Sequence, residues 1–392
     1  MINKLLSTIS YLRSTHKLLV LRHCGSPWQL EFLTTLLDGE RVVDLSDPLL
    51  REQASWQPEV VATRLPQGAV LHELQYAPEL VPYLLKADDN VLAIVSQDYY
   101  VKEQLETSFG DFSMKKQVIG TACSSAEVSI LTLPLVLSDR QPFLPTGMQE
   151  EATDVIAAIV QGAAFGDSTD FYSRYIKEFI QRNVMDLTTI SSDVKLYRFM
   201  CAVATGVGSL VNYASLGKAA GISAPTAKQW LLFLQGAGIV YLLQPIEHTG
   251  LNRVAKAPKA YFTDTGLAAY LLRIGSKEEL SLSPFFGGLL ENYVVCKIRN
   301  SYLSNGIEPK LSFFRDSNAK EISLLLEADG VLYPMDISKE SVSVNKLLKK
   351  YSILQPVEDA ADAILGKGAL LTLGNRPKQW SDELEFINIG NV

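Results

Sequence analysis

Lys17-Leu18-Leu19-Val20-Leu21 is a short apolar run, and His23-Cys24-Gly25-Ser26-Pro27 separates it from an amphipathic stretch, Trp28 to Leu37. The run reads as a buried strand, the break as a loop and the stretch as a helix. The same rhythm continues outward. Val42-Val43-Asp44-Leu45, Ala69-Val70-Leu71 and Val91-Leu92-Ala93-Ile94-Val95 are three more apolar runs with amphipathic stretches between them. Strand, helix, strand in this order predicts a parallel α/β sheet covered on both faces.

The pattern changes near Pro142-Phe143-Leu144-Pro145. From Glu150 to about Met200 a helical period takes over, with Phe171, Tyr175 and Phe179 recurring on one face. Leu216 to Ser223 then reads as a turn between two helices, the second being Ala224 to Leu234. Strands near Ile239–Leu243 and Ala260–Thr263 bracket a polar loop, which is the winged-helix order. Further on, Gly288 to Tyr302 is helical, and Leu311–Phe314, Ile322–Glu327, Val331–Ile337 and Ala369–Leu373 read as strands. The longest uncharged stretch, Phe199 to Gly217, carries three glycines and reads as a buried helix and turn rather than a membrane span.

At 392 residues the chain exceeds one ordinary core, so two to four domains are expected. Its 36 Lys+Arg against 43 Asp+Glu give a net charge of −7, which argues against a chain coated for nucleic acid or anionic membrane. It leaves room for one local basic patch. Cys24, Cys123, Cys201 and Cys296 form no CxxC and no zinc spacing, and with 4 histidines a His-rich metal site is not expected. The first residues interleave charges with apolar side chains and do not read as a signal peptide, so a reducing cytoplasmic setting is the expectation.

Leu71-His72-Glu73-Leu74-Gln75-Tyr76-Ala77-Pro78-Glu79-Leu80 resembles the Walker B region of a prokaryotic AAA-type ATPase family, whose members read Asp-Glu-hydrophobic-Gln and then Pro-Glu-Leu. Pro258-Lys259-Ala260-Tyr261-Phe262-Thr263-Asp264-Thr265-Gly266-Leu267 is similar to a string characteristic of that family's C-terminal domain of unknown function, family 4143. Leu133-Pro134-Leu135 and Gly288-Leu289-Leu290-Glu291-Asn292 fit as well. The resemblance covers nearly the whole chain. It implies a multidomain α/β protein: a P-loop-type parallel domain over 1–145, a helical segment over 146–208, a winged helix over 209–264 and a restriction-endonuclease-like α/β domain over 265–392.

Set against the family, the phosphate loop is altered. Its members carry Gly-Pro-Arg-Gln-x-Gly-Lys-Thr, in which Gly allows close backbone approach, Lys reaches the phosphates and the hydroxyl binds Mg²⁺. Aligned without gaps, this chain offers His23-Cys24-Gly25-Ser26-Pro27-Trp28-Gln29-Leu30. His23 and Trp28 stand where Gly is needed, Gln29 replaces the Lys and Leu30 the hydroxyl. Gly25 is at most a relic. His72 stands in place of the Walker B Asp, and a neutral imidazole suits a hard cation poorly. Glu73, which in the family polarises the attacking water, remains, and with Gln75 it is expected to serve packing and helix capping.

A restriction-endonuclease-like core cleaves with a helix Glu, a strand Asp and Glu-x-Lys on the next strand, holding Mg²⁺ on the acids. Here Glu291 fits the helix position and Asp336 the second-strand carboxylate, but Ser323 replaces the Asp and Ser338 the Lys. Glu321 shares a face with Ser323. Such acids are expected to be solvated or paired with Lys320 or Lys346.

The winged helix would present Lys228 and Gln229 early in its second helix, and Arg253, Lys256 and Lys259 in its wing. From Asn212 to Asp264, five basic residues against two acids give 5 − 2 = +3, the one locally basic surface. The resulting expectation is a catalytically degenerate AAA-type protein that binds or scaffolds a protein partner, with a DNA contact through its winged helix and no membrane. It needs no cofactor. The alternatives are an active ATPase using ATP and Mg²⁺ in a nucleic-acid process, and a DNA-binding regulator.

Overall fold

The computed structural model describes residues 2–23, 27–96, 101, 128–133, 154–164, 167–179, 193–246, 257–316, 320–340, 342–355, 364–374, 381 and 383–392. Gly25, Arg253 and Lys256, the side chains of Trp28 and Leu30, and the expected change of pattern at 142–145 lie outside what is described.

Five parallel strands make the first sheet: β1 (Leu18–Arg22), β2 (Val42–Asp44), β3 (Val70–His72), β4 (Val91–Val95) and β5 (Val128–Thr132), in the order β2-β3-β4-β1-β5. Leu18 lies opposite Val91 on one side and Val128 on the other. Alternation of side chains sorts β1 between two cores. Leu18 and Val20 pack with Leu71, Ala93 and Ile130, while Leu19 and Leu21 pack with Val70, Leu92 and Leu131. The helix Ile2–Thr15 covers the second face with Leu5, Ile9 and Leu12, whose spacing of four and three is a helical stripe. The helix Pro27–Leu37 adds Phe32 and Leu33 to the same face.

The strand β5 was not expected from the sequence. Ser129 and Thr132 interrupt its apolar run, yet both are buried, and Arg22 donates to Thr132 Oγ1 at 2.8 Å.

The next part is helical, with Val155–Gln161, Ser168–Phe179, Asp193–Thr205, Tyr213–Ala220 and Ala224–Gly236, followed by the antiparallel pair β6 (Val240–Leu243) and β7 (Lys259–Phe262). Gly221 closes the 213–220 helix at φ +70°, a left-handed turn that favours glycine, and Ser223 caps the next helix by accepting from Thr226 N at 3.2 Å. Trp230, Leu231 and Leu234 are buried, as their spacing predicts. The stripe in the 168–179 helix departs from the expected one. Tyr172, Ile176 and Phe179 are its buried residues, and Phe171 and Tyr175 flank it, stacked at 6.3 Å. Tyr172 turns inward because its hydroxyl has a buried partner, Asp264 at 2.7 Å.

After the helices Thr265–Leu271 and Lys277–Leu282, the long helix Phe286–Leu303 leads into a mixed sheet. Its strands are β8 (Lys310–Arg315), β9 (Glu321–Ala328), β10 (Val331–Ser338), β11 (Ile364–Leu365), β12 (Gly368–Thr372) and β13 (Leu384–Asn388), in the order β13-β12-β10-β9-β8 with β11 beside β10. Strands β8, β9 and β10 run antiparallel, and β10, β12 and β13 run parallel. The protein is therefore a multidomain α/β chain with a parallel sheet and a distinct mixed sheet. Among the described residues no helix is long and apolar enough to cross a membrane.

Candidate functional site

Two clusters of charged and polar side chains stand where the sequence directs attention. The first lies at the C-terminal edge of the parallel sheet, where open α/β sheets bind their ligands. β1 ends into His23, β3 ends at His72 with Glu73 behind it, and β4 ends before Ser96. Glu73 adopts φ 60° and ψ 45°, left-handed values that a non-glycine residue holds only when its surroundings fix it.

Those surroundings are visible. Glu73 Oε2 accepts from Ser96 Oγ at 2.9 Å, from Ser96 N at 3.4 Å and from Gln75 Nε2, which also donates to Ser96 Oγ at 2.8 Å. Glu73 makes no side-chain cap to the short helical turn after it, so the expected capping role is not the one it plays. Its other oxygen, Oε1, faces two imidazoles: His72 Nε2 at 3.8 Å and His23 Nε2 at 4.0 Å. On its far side His72 Nδ1 lies 3.1 Å from Asp44 Oδ1.

His23 is buried, and among the described residues neither of its ring nitrogens has a hydrogen-bond partner. Burial holds its pKa below 6.5, and His72 lowers it further against the pull of Glu73. Gln29, set by the resemblance at the position of a phosphate-binding lysine, is fully buried and donates to Leu133 O at 3.2 Å. It points into the fold.

The second cluster joins β7 to the mixed sheet. The alternation of β7 puts Lys259 and Tyr261 on one face. Lys259 Nζ lies 2.8 Å from Glu291 Oε1 and 2.5 Å from Glu321 Oε1, and Tyr261 donates to the same Glu291 oxygen at 2.5 Å. Arg315 holds the other oxygen of Glu321 at 3.2 Å. With its side chain 1% exposed, Lys259 cannot serve the wing as a phosphate contact, which corrects the expectation for this residue. Burial pulls the ammonium toward neutrality, but the two carboxylates more than offset that, and its pKa is raised. Of the five cations expected on the basic surface, Lys218 and Lys228 are exposed among the described residues, as is Gln229.

The acids are thus neither solvated nor paired as expected. Asp336 takes Lys350, one helical turn beyond the exposed Lys346, and lies 3.5 Å from Ser323 N and 3.4 Å from Ser323 Oγ. Strands β9 and β10 do bring Ser323 and Asp336 together. Among the described residues, no three His, Cys, Asp or Glu side chains stand at metal-bonding separation.

The two quoted C-terminal strings form one clamp. Asn292, beside Glu291, accepts from Phe262 N at 2.8 Å and donates to Phe262 O at 2.6 Å, fastening the edge of β7 to the 286–303 helix. Asp264 caps the 265–271 helix through Gly266 N at 2.9 Å and holds Tyr172 and Ala163 N. A Cβ on Gly266 would stand 2.3 Å from Tyr172 Oη and 2.9 Å from the backbone of Gln161, so only glycine allows this approach. Sequence reasoning missed Asn292 and Lys350. Their signal, a polar residue inside an apolar helix face and a basic residue at i+4, was present but too common to single out.

Structurally the chain is similar to the Walker-type ATPase PABY2304 of Pyrococcus abyssi, at 11% identity and a TM-score of 0.35, over 69% of this chain and 94% of that one. No curated protein matches it. Residues 158–278 match the domain of unknown function DUF8612, so the 258–267 string falls in that domain and not in family 4143 as expected. Residues 286–392 match the domain of unknown function DUF4143, and the chain therefore carries a C-terminal DUF4143 domain.

Proposed function

We propose that the protein is a catalytically degenerate relative of AAA-type ATPases that works as a binding or scaffold module. In this reading its parallel sheet is a P-loop-type domain, its helix-turn-helix and hairpin a winged helix, and its mixed sheet a restriction-endonuclease-like core. The observation that carries it is the place of Lys259. Its ammonium lies between Glu291 and Glu321, two acids from different elements, and supplies the positive charge that a catalytic core would take from a metal ion. Support also comes from Gln29, whose amide is spent on Leu133 O instead of a phosphate. The physiological partner is then a protein, with exposed Lys228 and Gln229 available for a DNA contact.

Calorimetric titration of the full chain with Mg-ATP tests the reading. No saturable heat is expected at millimolar nucleotide. Saturable micromolar binding would overturn it in favour of an active ATPase.

A further inference from the structure

The helix Pro48–Trp56 buries one side and leaves the other in water. Leu50 and Ala54, four apart, pack into the parallel-sheet domain. Leu49, Glu52, Gln53 and Trp56 are exposed, at the i, i+3, i+4, i+7 spacing of one helix face. On that face Leu49 is 72% and Trp56 83% exposed, and Val60, in the next helix Pro58–Arg64, is 38% exposed. An indole so open leaves roughly 200 Å² of its surface in water. Single apolar residues are ordinary on a surface, but a Trp and a Leu on one face make a patch. The charges around it are of one sign. From Asp44 to Glu59 the exposed charges are Asp44, Asp47, Glu52 and Glu59, while the half-buried Arg51 lies over the Tyr76 ring at 5.1 Å.

The helix-turn-helix presents the opposite surface. Between Val194 and Ile246 the chain carries Lys195, Arg198, Lys218 and Lys228 and no acid. Ala214, Ser215, Lys218 and Ala219 line the exposed side of the 213–220 helix, and Pro225, Lys228 and Gln229 that of the 224–236 helix. Small side chains leave room for a ring, and an ammonium is attracted to the face of an indole. Both surfaces are exposed in the folded chain, so neither covers the other within one molecule.

We propose that the Leu49–Trp56 face docks on the helix-turn-helix of a second copy of this chain, head to tail. Trp56 is the anchor, and Glu52 and Glu59 meet Lys218 and Lys228 at the rim. A contact between two different patches leaves one of each unused on the pair, so further copies can add. The patch is small beside the roughly 800 Å² per partner of a standard interface, which sets the affinity in the micromolar range. A second copy would cover Lys228 and Gln229 and so compete with DNA for them.

Sedimentation velocity on the full chain, without nucleotide or DNA, tests this from micromolar to hundred-micromolar concentration. Reversible growth beyond the monomer is expected, weakened about tenfold from low to high salt. Trp56→Ser, and separately the pair Lys218→Glu and Lys228→Glu, should each abolish it without moving the thermal melt, because all three positions are exposed. Mixed one to one, the two variants should associate again and stop at the dimer, since one brings an intact basic face and the other an intact Trp56 face. A monomer throughout the range, growth unchanged by Trp56→Ser, or a mixture that stays monomeric would each overturn the proposal. Because no nucleotide is present, the outcome is independent of the Mg-ATP result.

Discussion

The sheet-edge cluster and the β7 cluster hold similar acids but meet their charge in opposite ways. Around Lys259 the chain supplies its own cation, and every group in the contact is a donor facing an acceptor. Around Glu73 Oε1 stand two imidazoles and, among the described residues, no ammonium or guanidinium at ion-pair distance. The first arrangement is complete in itself and reads as structure. The second is looser, with both imidazoles beyond hydrogen-bond distance of that oxygen. A buried acid is therefore informative only through what neutralises it.

The largest effect that could break this contrast is at Lys259. Lys259→Met should destabilise by about 3–5 kcal/mol, because it leaves Glu291 without a cation and crowded against Glu321, which keeps only Arg315. A thermal melt would register this, and adding Glu291→Gln and Glu321→Gln should recover part of the loss. A melt unchanged by Lys259→Met would remove the closed-cluster interpretation.

Next comes pH, where the two halves of the molecule should respond with opposite sign. Burial raises the Asp264 carboxyl from 3.8 to about 6, although Tyr172 and backbone amides pull it down. A raised carboxyl favours the folded state below its unfolded value, and that contribution is lost as pH rises through about 6. It amounts to about 3 kcal/mol in all. His23 is lowered from 6.5, so its contribution is present above that pH and lost as pH falls. Urea denaturation between about pH 5 and 7, using Asp264→Asn and His23→Leu, should remove one slope each. Slopes of the same sign would contradict the assignment.

The smallest effect sharpens the comparison most. His23→Leu should raise stability by about 1 kcal/mol, since it replaces two unsatisfied buried nitrogens with apolar surface. Lys259→Met replaces a satisfied group and moves the other way. A loss of stability in His23→Leu would show that the imidazole packs productively.

Much of the fold was legible in the sequence. Strands β1 to β4 and β8 to β10 announce themselves as apolar runs, and the 224–236 helix follows the period of Trp230, Leu231 and Leu234. Strand β5 escaped because Ser129 and Thr132 break its run, and the burial of Thr132 is made tolerable by Arg22, far away in sequence. Among the site residues, the sequence singled out His23, His72, Glu73, Glu291 and Asp336 because each departs from or matches a family position. It misassigned Lys259, since a basic residue beside a polar loop reads as exposed.

What the sequence determined alone was local: which segments are strands and helices, and which residue types follow each strand. Periodicity and residue chemistry depend only on near neighbours along the chain. Charge neutralisation does not. Lys259 and Glu321 are brought to 2.5 Å by the packing of a hairpin against a distant sheet, and His23 and Glu73 to 4.0 Å by two strands separated by a third. Whether an acid is closed by an ammonium or left facing an imidazole is set by that packing, because Coulomb energy follows distance and burial rather than order in the chain.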